Sequence, residues 1–364
     1  SRRPVRSSML NLAGLLRLPR VDPLFDISPD ESKIAFSWNK TGEWQIYEIG
    51  LRHDGSLPQS SQRPLRKDPG NSVAESLTYG IGGKFNPRYS PDGKKLAYVL
   101  DNDGSESYHL IVYDFATNQH KGLTPNIPHA LQPNFCWSPD GSQLAFLSNE
   151  HGHFSAYVIS VNGGTPKLIL DTGHPAWQVE WSPDGKHLAI CCEMHGQDYG
   201  IFVVDLETKA TTMLCHPEGR LAPRRVSTID EEILRPFGSQ NDIPLNAHAP
   251  NWSHDGKHLA FHSDLHGWFD IGIYDLDTKQ LSWLTNSEGD SQSPIVVSSN
   301  YDESPVKFQV AYAQNRGTIN WIELLGSEGG RKTYRAGKGI HSEIKFTSDR
   351  MRMVTAFSSP SQPA

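Results

Sequence analysis

The sequence predicts an all-β chain folded as a seven-bladed β-propeller of four-stranded antiparallel blades, the last blade incomplete. Three observations lead there: a turn signature that recurs, a near-constant spacing between copies, and the same succession of short strands after each copy. The signature reads Ser28-Pro29-Asp30-Glu31, Ser90-Pro91-Asp92-Gly93, Ser138-Pro139-Asp140-Gly141, Ser182-Pro183-Asp184-Gly185 and Ser253-His254-Asp255-Gly256. Two degenerate copies follow, Asn300-Tyr301-Asp302-Glu303 and Thr347-Ser348-Asp349-Arg350. Successive aspartates stand 62, 48, 44, 71, 47 and 47 residues apart. Four intervals therefore fit one unit of 44–48 residues, and the two longer ones carry insertions.

Each unit is built in the same order. A first strand, such as Phe135-Cys136-Trp137, Val179-Glu180-Trp181 or Asn251-Trp252, leads into the turn. Proline at the second turn position presets φ, and Asp and Gly complete a type I turn. The second strand is Ile34-Ala35-Phe36, with counterparts Leu96-Ala97-Tyr98, Leu144-Ala145-Phe146, Leu188-Ala189-Ile190 and Leu259-Ala260-Phe261. Apolar residues on both faces predict a strand covered on both sides, and the central Ala lets a neighbour approach closely. The third strand follows as Leu110–Tyr113, Tyr157–Ile159, Ile201–Val204 or Ile271–Tyr274. Turns such as Asn162-Gly163-Gly164, Glu207-Thr208-Lys209 and Asp277-Thr278-Lys279 send the chain back. A short fourth strand then ends near Leu123-Thr124 or Leu284-Thr285. No unit carries a 3.6-residue period, which excludes a helical solenoid, and an immunoglobulin-like sandwich would not repeat its turns so regularly.

Residues 1–20 read as a lead segment and 21–364 as the propeller, with insertions at about 51–80 and 216–245. Asp54–Ser76 reads as a surface loop and His216–Leu245 as an excursion on one face, where function usually sits. After Asp349 only Met351–Phe357 remains as strand, and half a blade leaves an open sheet edge of the kind proteins normally cover. The expectation is that the natural chain continues; the alternative is closure by the N-terminal segment.

Composition agrees. Counting Gly and leaving out Tyr, about 42% of the chain is apolar, and Gly plus Pro make up about 15%, which suits many short strands and turns. The longest apolar runs are about five residues, far short of a bilayer span. A net charge of −7 with interspersed signs argues against nucleic acid as a partner. Cys136, Cys191, Cys192 and Cys215 show no metal spacing and sit in apolar surroundings, as reduced thiols of a cytoplasmic protein would.

The Trp-Ser-Pro-Asp-Gly-Lys-x-Leu-Ala-Phe unit resembles the propeller repeat of TolB-type proteins and of the prolyl-oligopeptidase family of serine peptidases. Leu15-Leu16-Arg17-Leu18-Pro19-Arg20-Val21-Asp22-Pro23, running into Phe25–Asp30, resembles the propeller entry of acylaminoacyl-peptidase-like members. Phe357-Ser358-Ser359-Pro360-Ser361-Gln362-Pro363 resembles the stretch shortly before the passage into their catalytic domain. The resemblance implies a C-terminal α/β-hydrolase domain with a Ser, Asp and His triad, covered by a propeller that restricts access to short peptides. That hydrolase domain and short peptides are the expected partners. No cofactor is expected, and self-association into a homo-oligomer is left open. The chain itself has no G-x-S-x-G elbow; Gly289-Asp290-Ser291-Gln292-Ser293 lacks the second Gly. It is expected to have no catalytic residue and to be inactive alone.

Some family members hold a substrate's free N-terminus with paired glutamates on a propeller excursion, and Glu231-Glu232 occupies a loosely comparable place. Without that motif's aromatic context, the pair reads first as solvated loop carboxylates. Arg220, Arg224 and Arg225 could pair with a carboxylate, although solvation is again the simpler reading. His151, His195 and His266 each precede Gly at matched repeat positions, so they spread around the ring and cannot share a metal. His248 is the one histidine placed near an inner strand, as a metal-dependent sugar lyase on a propeller would require. Trp137, Trp181 and Trp252 read as packing residues, and Cys191-Cys192 as buried neighbours facing opposite ways. A free-standing TolB-like interaction propeller is the main alternative to the peptidase reading, and the lyase comes third.

Overall fold

A computed structural model describes residues 20–51, 74–124, 129–194, 199–214, 247–264, 267–286, 289–298, 308–326, 330–347 and 352–359. Among them all regular structure is β, in six four-stranded sheets and one two-stranded sheet. The six blades span 21–76, 83–122, 131–170, 176–213, 248–283 and 291–334, and the closing sheet spans 340–358. Within each sheet the strands pair in chain order, and the pairing is antiparallel throughout. First strands of successive sheets pack on one another and form the hub of a propeller; the closing sheet's first strand, Ile340–Phe346, touches those of blades 6 and 1.

The turn signature explains why each blade folds alike. In the Ser-Pro-Asp-Gly turn of blade 3, Ser138 Oγ donates to Asp140 Oδ1 at 2.6 Å, and the Gln143 amide donates to Ser138 Oγ at 2.9 Å. The Ser142 amide donates to the same carboxylate at 3.0 Å. Blades 1, 2, 4 and 5 repeat the Ser-to-Asp bond at 2.5–2.7 Å. Gly93, Gly141, Gly185 and Gly256 take φ of +69° to +75°, which glycine adopts without steric cost. The turns also touch: a Cβ on Gly93 would meet Pro29, and one on Gly141 would meet Pro91. In the closing sheet Thr347 plays the serine's part, accepting from the Arg352 amide at 3.1 Å.

Second and third strands are buried on both faces, and Ala35, Ala97, Ala145, Ala189 and Ala260 are wholly enclosed. The core is not one mass but a series of inter-blade clusters. Leu147, Ile190 and Phe202 join blades 3 and 4; Val99, Phe135 and Tyr157 join 2 and 3; Ile201, Trp252 and Phe261 join 4 and 5. Similar clusters join blades 1 and 2, blades 5 and 6, and blade 6 and the closing sheet. Between the closing sheet and blade 1, charge takes over: Arg352 pairs with Glu31, and Lys345 lies 3.8 Å from Asp26.

Two expectations change. Seven repeat units are present in the sequence, but the described residues form six four-stranded blades and a closing sheet of two strands. The degenerate turn Asn300–Glu303 lies outside the described residues. The stretch read as a loop, Asp54–Ser76, ends in a strand: Glu75 and Ser76 pair with Glu48 and Tyr47 as the outer strand of blade 1. Its two polar residues carry no alternating pattern from which a strand could be read.

Candidate functional site

The hub strands bring charges into the channel. Arg88 of blade 2 lies 3.9 Å from Asp26 of blade 1 and 3.5 Å from Glu343 of the closing sheet, and Lys345 lies 3.4 Å from Glu343. Blades 1 and 2 and the closing sheet can meet this way only around the axis. Burial works against the Arg88 charge, but Asp26 and Glu343 more than offset it and hold the guanidinium above its ordinary value. Glu180 of blade 4 faces the same group; burial raises its carboxyl, while Lys345 and Arg88 pull the other way. The Cys136 thiol, pushed far up by burial and then by Glu180, is not a nucleophile here.

These residues share a place in the repeat. Asp26, Arg88, Cys136, Glu180, Asn251 and Lys345 each stand two residues before the turn Ser or Thr. Aligning the repeats would have exposed them, because a strand packed on both sides should carry no charge at that position. The hub strands are also stitched sideways. The Tyr89 amide donates to Asp26 at 2.9 Å, that of Val179 to Asn134 at 2.8 Å, and that of Val296 to Asn251 at 2.9 Å.

The two ends of the propeller differ. One end carries the Ser-Pro-Asp-Gly turns; the other carries the connections that enter each blade and those between second and third strands. At this loop end stand Tyr79, Ile81, Trp177, Trp268, Ile319, Tyr334 and Ile340, all exposed. Of the exposed large apolar side chains, only Leu168 lies elsewhere among the described residues. Tyr79 and Ile81, 78% and 86% exposed, ride on a loop held from beneath by Lys84. Its ammonium donates to the carbonyls of Gly80, Ile81 and Gly82 at 2.9, 3.0 and 2.9 Å, using all three protons. Gln45 adds a bond to the Gly80 carbonyl at 2.7 Å. The loop is thus rigidly presented, with its apolar side chains outward.

The other sequence candidates fall into place. Glu231, Glu232, Arg220, Arg224 and Arg225 lie outside the described residues, as do Cys215, His195 and His266. The chain enters and leaves 215–246 at the loop end, after Leu214 and before Ala247. His151 stacks on Tyr157, and His153 Nε2 lies 2.6 Å from Asp171 Oδ1, a carboxylate that sequence reasoning missed because it stands 18 residues on, just past the outer strand of the blade. His248 packs at 4.4 Å ring separation on Tyr199 and 5.5 Å from His262. Burial pushes His262 down to about 3, and its Nδ1 accepts from the Ser293 amide at 3.2 Å. Among the described residues no three His, Cys, Asp or Glu side chains are grouped to hold a metal ion. Trp137, Trp181 and Trp252 are buried, their indole N–H groups donating to the carbonyls of Arg88, Gly185 and Glu180. Cys191 and Cys192 face opposite clusters.

Comparison with known proteins adds relatives. Residues 70–224 match the TolB beta propeller domain. The uncharacterized peptidase YuxL of Bacillus subtilis is 32% identical over 114 residues, covering 29% of this chain and 17% of YuxL. Dipeptidyl-peptidase 5 of Porphyromonas gingivalis is 27% identical over 154 residues, 41% of this chain and 21% of the peptidase. The matched stretches thus span less than a quarter of either peptidase. Among solved structures, an oligogalacturonate lyase in complex with manganese superposes with a TM-score of 0.64 at 16% identity, covering 93% of this chain and 86% of that one. A prolyl endopeptidase superposes at 0.61 with 11% identity, over 94% of this chain and 47% of that one. At such identities the structures share the fold alone. Residues 70–224 are thus similar to a TolB-type β-propeller domain, and stretches of the chain are similar to parts of the two peptidases.

Proposed function

We propose that this chain is the propeller portion of a serine peptidase of the prolyl-oligopeptidase family, seven-bladed, with 340–358 as the inner half of the seventh blade. In this reading the loop end docks an α/β-hydrolase domain supplied further along the natural chain, and the channel admits only short, extended peptides. The observation that carries it is that seven of the eight exposed large apolar side chains described stand at the loop end, two of them on the loop held by Lys84. Apolar and aromatic side chains exposed at one end mark a docking surface rather than a solvated one. The charged ring of Asp26, Arg88, Glu180, Glu343 and Lys345 stands toward the turn end of the channel, where it would meet peptides before the hydrolase did. The thiols Cys191 and Cys192, buried, and Cys136, half-buried, fit a cytoplasmic location. We expect no catalysis from this chain alone.

The TolB match favours a second reading, a free-standing propeller whose loop end binds another protein. Sequencing the transcript past the codon for Ala364 separates the two. An open frame that supplies a Gly-x-Ser-x-Gly segment supports the peptidase; a stop codon there overturns it. The lyase reading would need metal in the purified protein and an unsaturated product from oligogalacturonate.

A further inference from the structure

At the turn end, between blades 3 and 4, the surface opens into a cavity of about 360 Å³. It lies at the opposite end from the exposed apolar side chains and away from the channel. Its floor includes Trp181, Ile169 and Leu206; its rim includes Gly164, Lys167 and Lys209. Lys167 comes from the outer strand of blade 3 and Lys209 from the turn between the third and fourth strands of blade 4.

The rim is made for an oxyanion. Among the described residues lining the cavity none is acidic. Burial first, and then the neighbouring charge of Lys167, hold Lys209 below the ordinary lysine value although Asp205 is near. Asp205 Oδ1 accepts from the amides of Glu207 and Thr208, and its Oδ2 lies 3.9 Å from His187 Nε2. Lys209 donates to the Leu206 carbonyl, which leaves two of its protons. The two ammonium groups repel one another until an anion comes between them. The adjoining turn supplies neutral donors. Gly163 and Gly164 take φ of +82° and +117°, and a side chain on Gly164 would meet nothing within 4 Å. The amides of Gly164 and Thr165 have no acceptor among the described residues, and Pro166 brings no N–H.

We propose that this cavity binds a small phosphate monoester with an apolar body. The phosphate sits between Lys167 and Lys209, within reach of the Gly164 and Thr165 amides, and the body lies on Trp181, Ile169 and Leu206. A dianion engages both lysines at once, whereas a monocarboxylate would leave one ammonium unmatched.

The test titrates phenyl phosphate into the full-length protein, followed by ³¹P line broadening and calorimetry, with inorganic phosphate, phenol and benzoate in parallel. Saturable binding is expected, tighter for phenyl phosphate than for inorganic phosphate and absent for phenol. Lys167→Gln and Lys209→Gln should each weaken phenyl phosphate about tenfold, the double variant should abolish binding, and Lys→Arg at either site should retain it. Both side chains are exposed, so the urea midpoints of these variants should match that of the parent. Benzoate binding as tightly as phenyl phosphate, binding unchanged in the double Gln variant, or no saturable binding by the parent would each overturn the proposal.

Discussion

The two ends of the propeller are built on opposite principles. At the turn end one local device repeats: a serine hydroxyl on an aspartate, a backbone amide on each, and in four copies a glycine at positive φ. At the loop end, where a shorter turn recurs at Asn39–Gly42, Asn149–Gly152 and Asp264–Gly267, apolar side chains face solvent. The contrast teaches that the turn end specifies the scaffold while the loop end is free to specify what the scaffold meets.

Acid should separate the ends most strongly. His262, near the loop end, is neutral in the fold with a value near 3, against an ordinary 6.5. A depressed histidine gives stability that is complete above pH 6.5 and is lost as pH falls toward 3. Asp30, Asp92 and Asp140 at the turn end are held below the ordinary 3.8, chiefly by the serine hydroxyls. Their contribution is present above pH 3.8 and is lost only below it. Urea midpoints should therefore begin to fall between pH 6.5 and 4, and His262→Phe should flatten that range. A midpoint constant down to pH 4 in the parent would break the comparison.

Next, Asp140→Ala removes the acceptor for Ser138 Oγ, Ser142 Oγ and the Ser142 amide, and should cost about 2–3 kcal/mol in urea unfolding. Tyr79→Ser with Ile81→Ser, at the other end, should stay within about 0.5 kcal/mol because both side chains are exposed. Lys84→Met should cost about 1–2 kcal/mol and speed amide exchange across Thr78–Gly83, which would show that the loop is held by that ammonium. The smallest effect is expected at Glu31. It occupies the turn position that is Gly in blades 2–5, at φ +59°, and pairs with Arg352. Glu31→Gly should leave the melting temperature nearly unchanged, since relief of the backbone offsets the lost pair. In an Arg352→Gln background the same change should stabilise by about 0.5–1 kcal/mol.

The turn end was legible because its physics is local. Six residues in sequence make every bond of the Ser138 turn, so each copy announces itself, and the enclosed Ala of each second strand follows from the same register. The closing sheet was legible only in part. Thr347 and Arg352 reproduce the turn's bonds, but the Glu31–Arg352 and Arg88–Glu343 pairs join residues hundreds of positions apart. Glu31, where blades 2–5 carry glycine, was a visible trace of that seam. The loop end was hardest to read. Thr78 has counterparts in Thr124 and Thr285, whose hydroxyls accept from backbone amides as its own does, but the role of Lys84 depends on three carbonyls folding back over it. Glu231 and Glu232, singled out by analogy, lie outside the described residues.

The docking role of the loop end can be measured within one molecule. Hydroxyl-radical footprinting of the full-length protein, with rates corrected for each residue's intrinsic reactivity, compares Tyr79 and Trp268 with Leu168 near the turn end. In this structure they are 78%, 51% and 40% exposed, in that order. If the loop end docks a second domain, Tyr79 and Trp268 will oxidise more slowly than Leu168. Oxidation in the order of these exposures, Tyr79 fastest, would contradict the account.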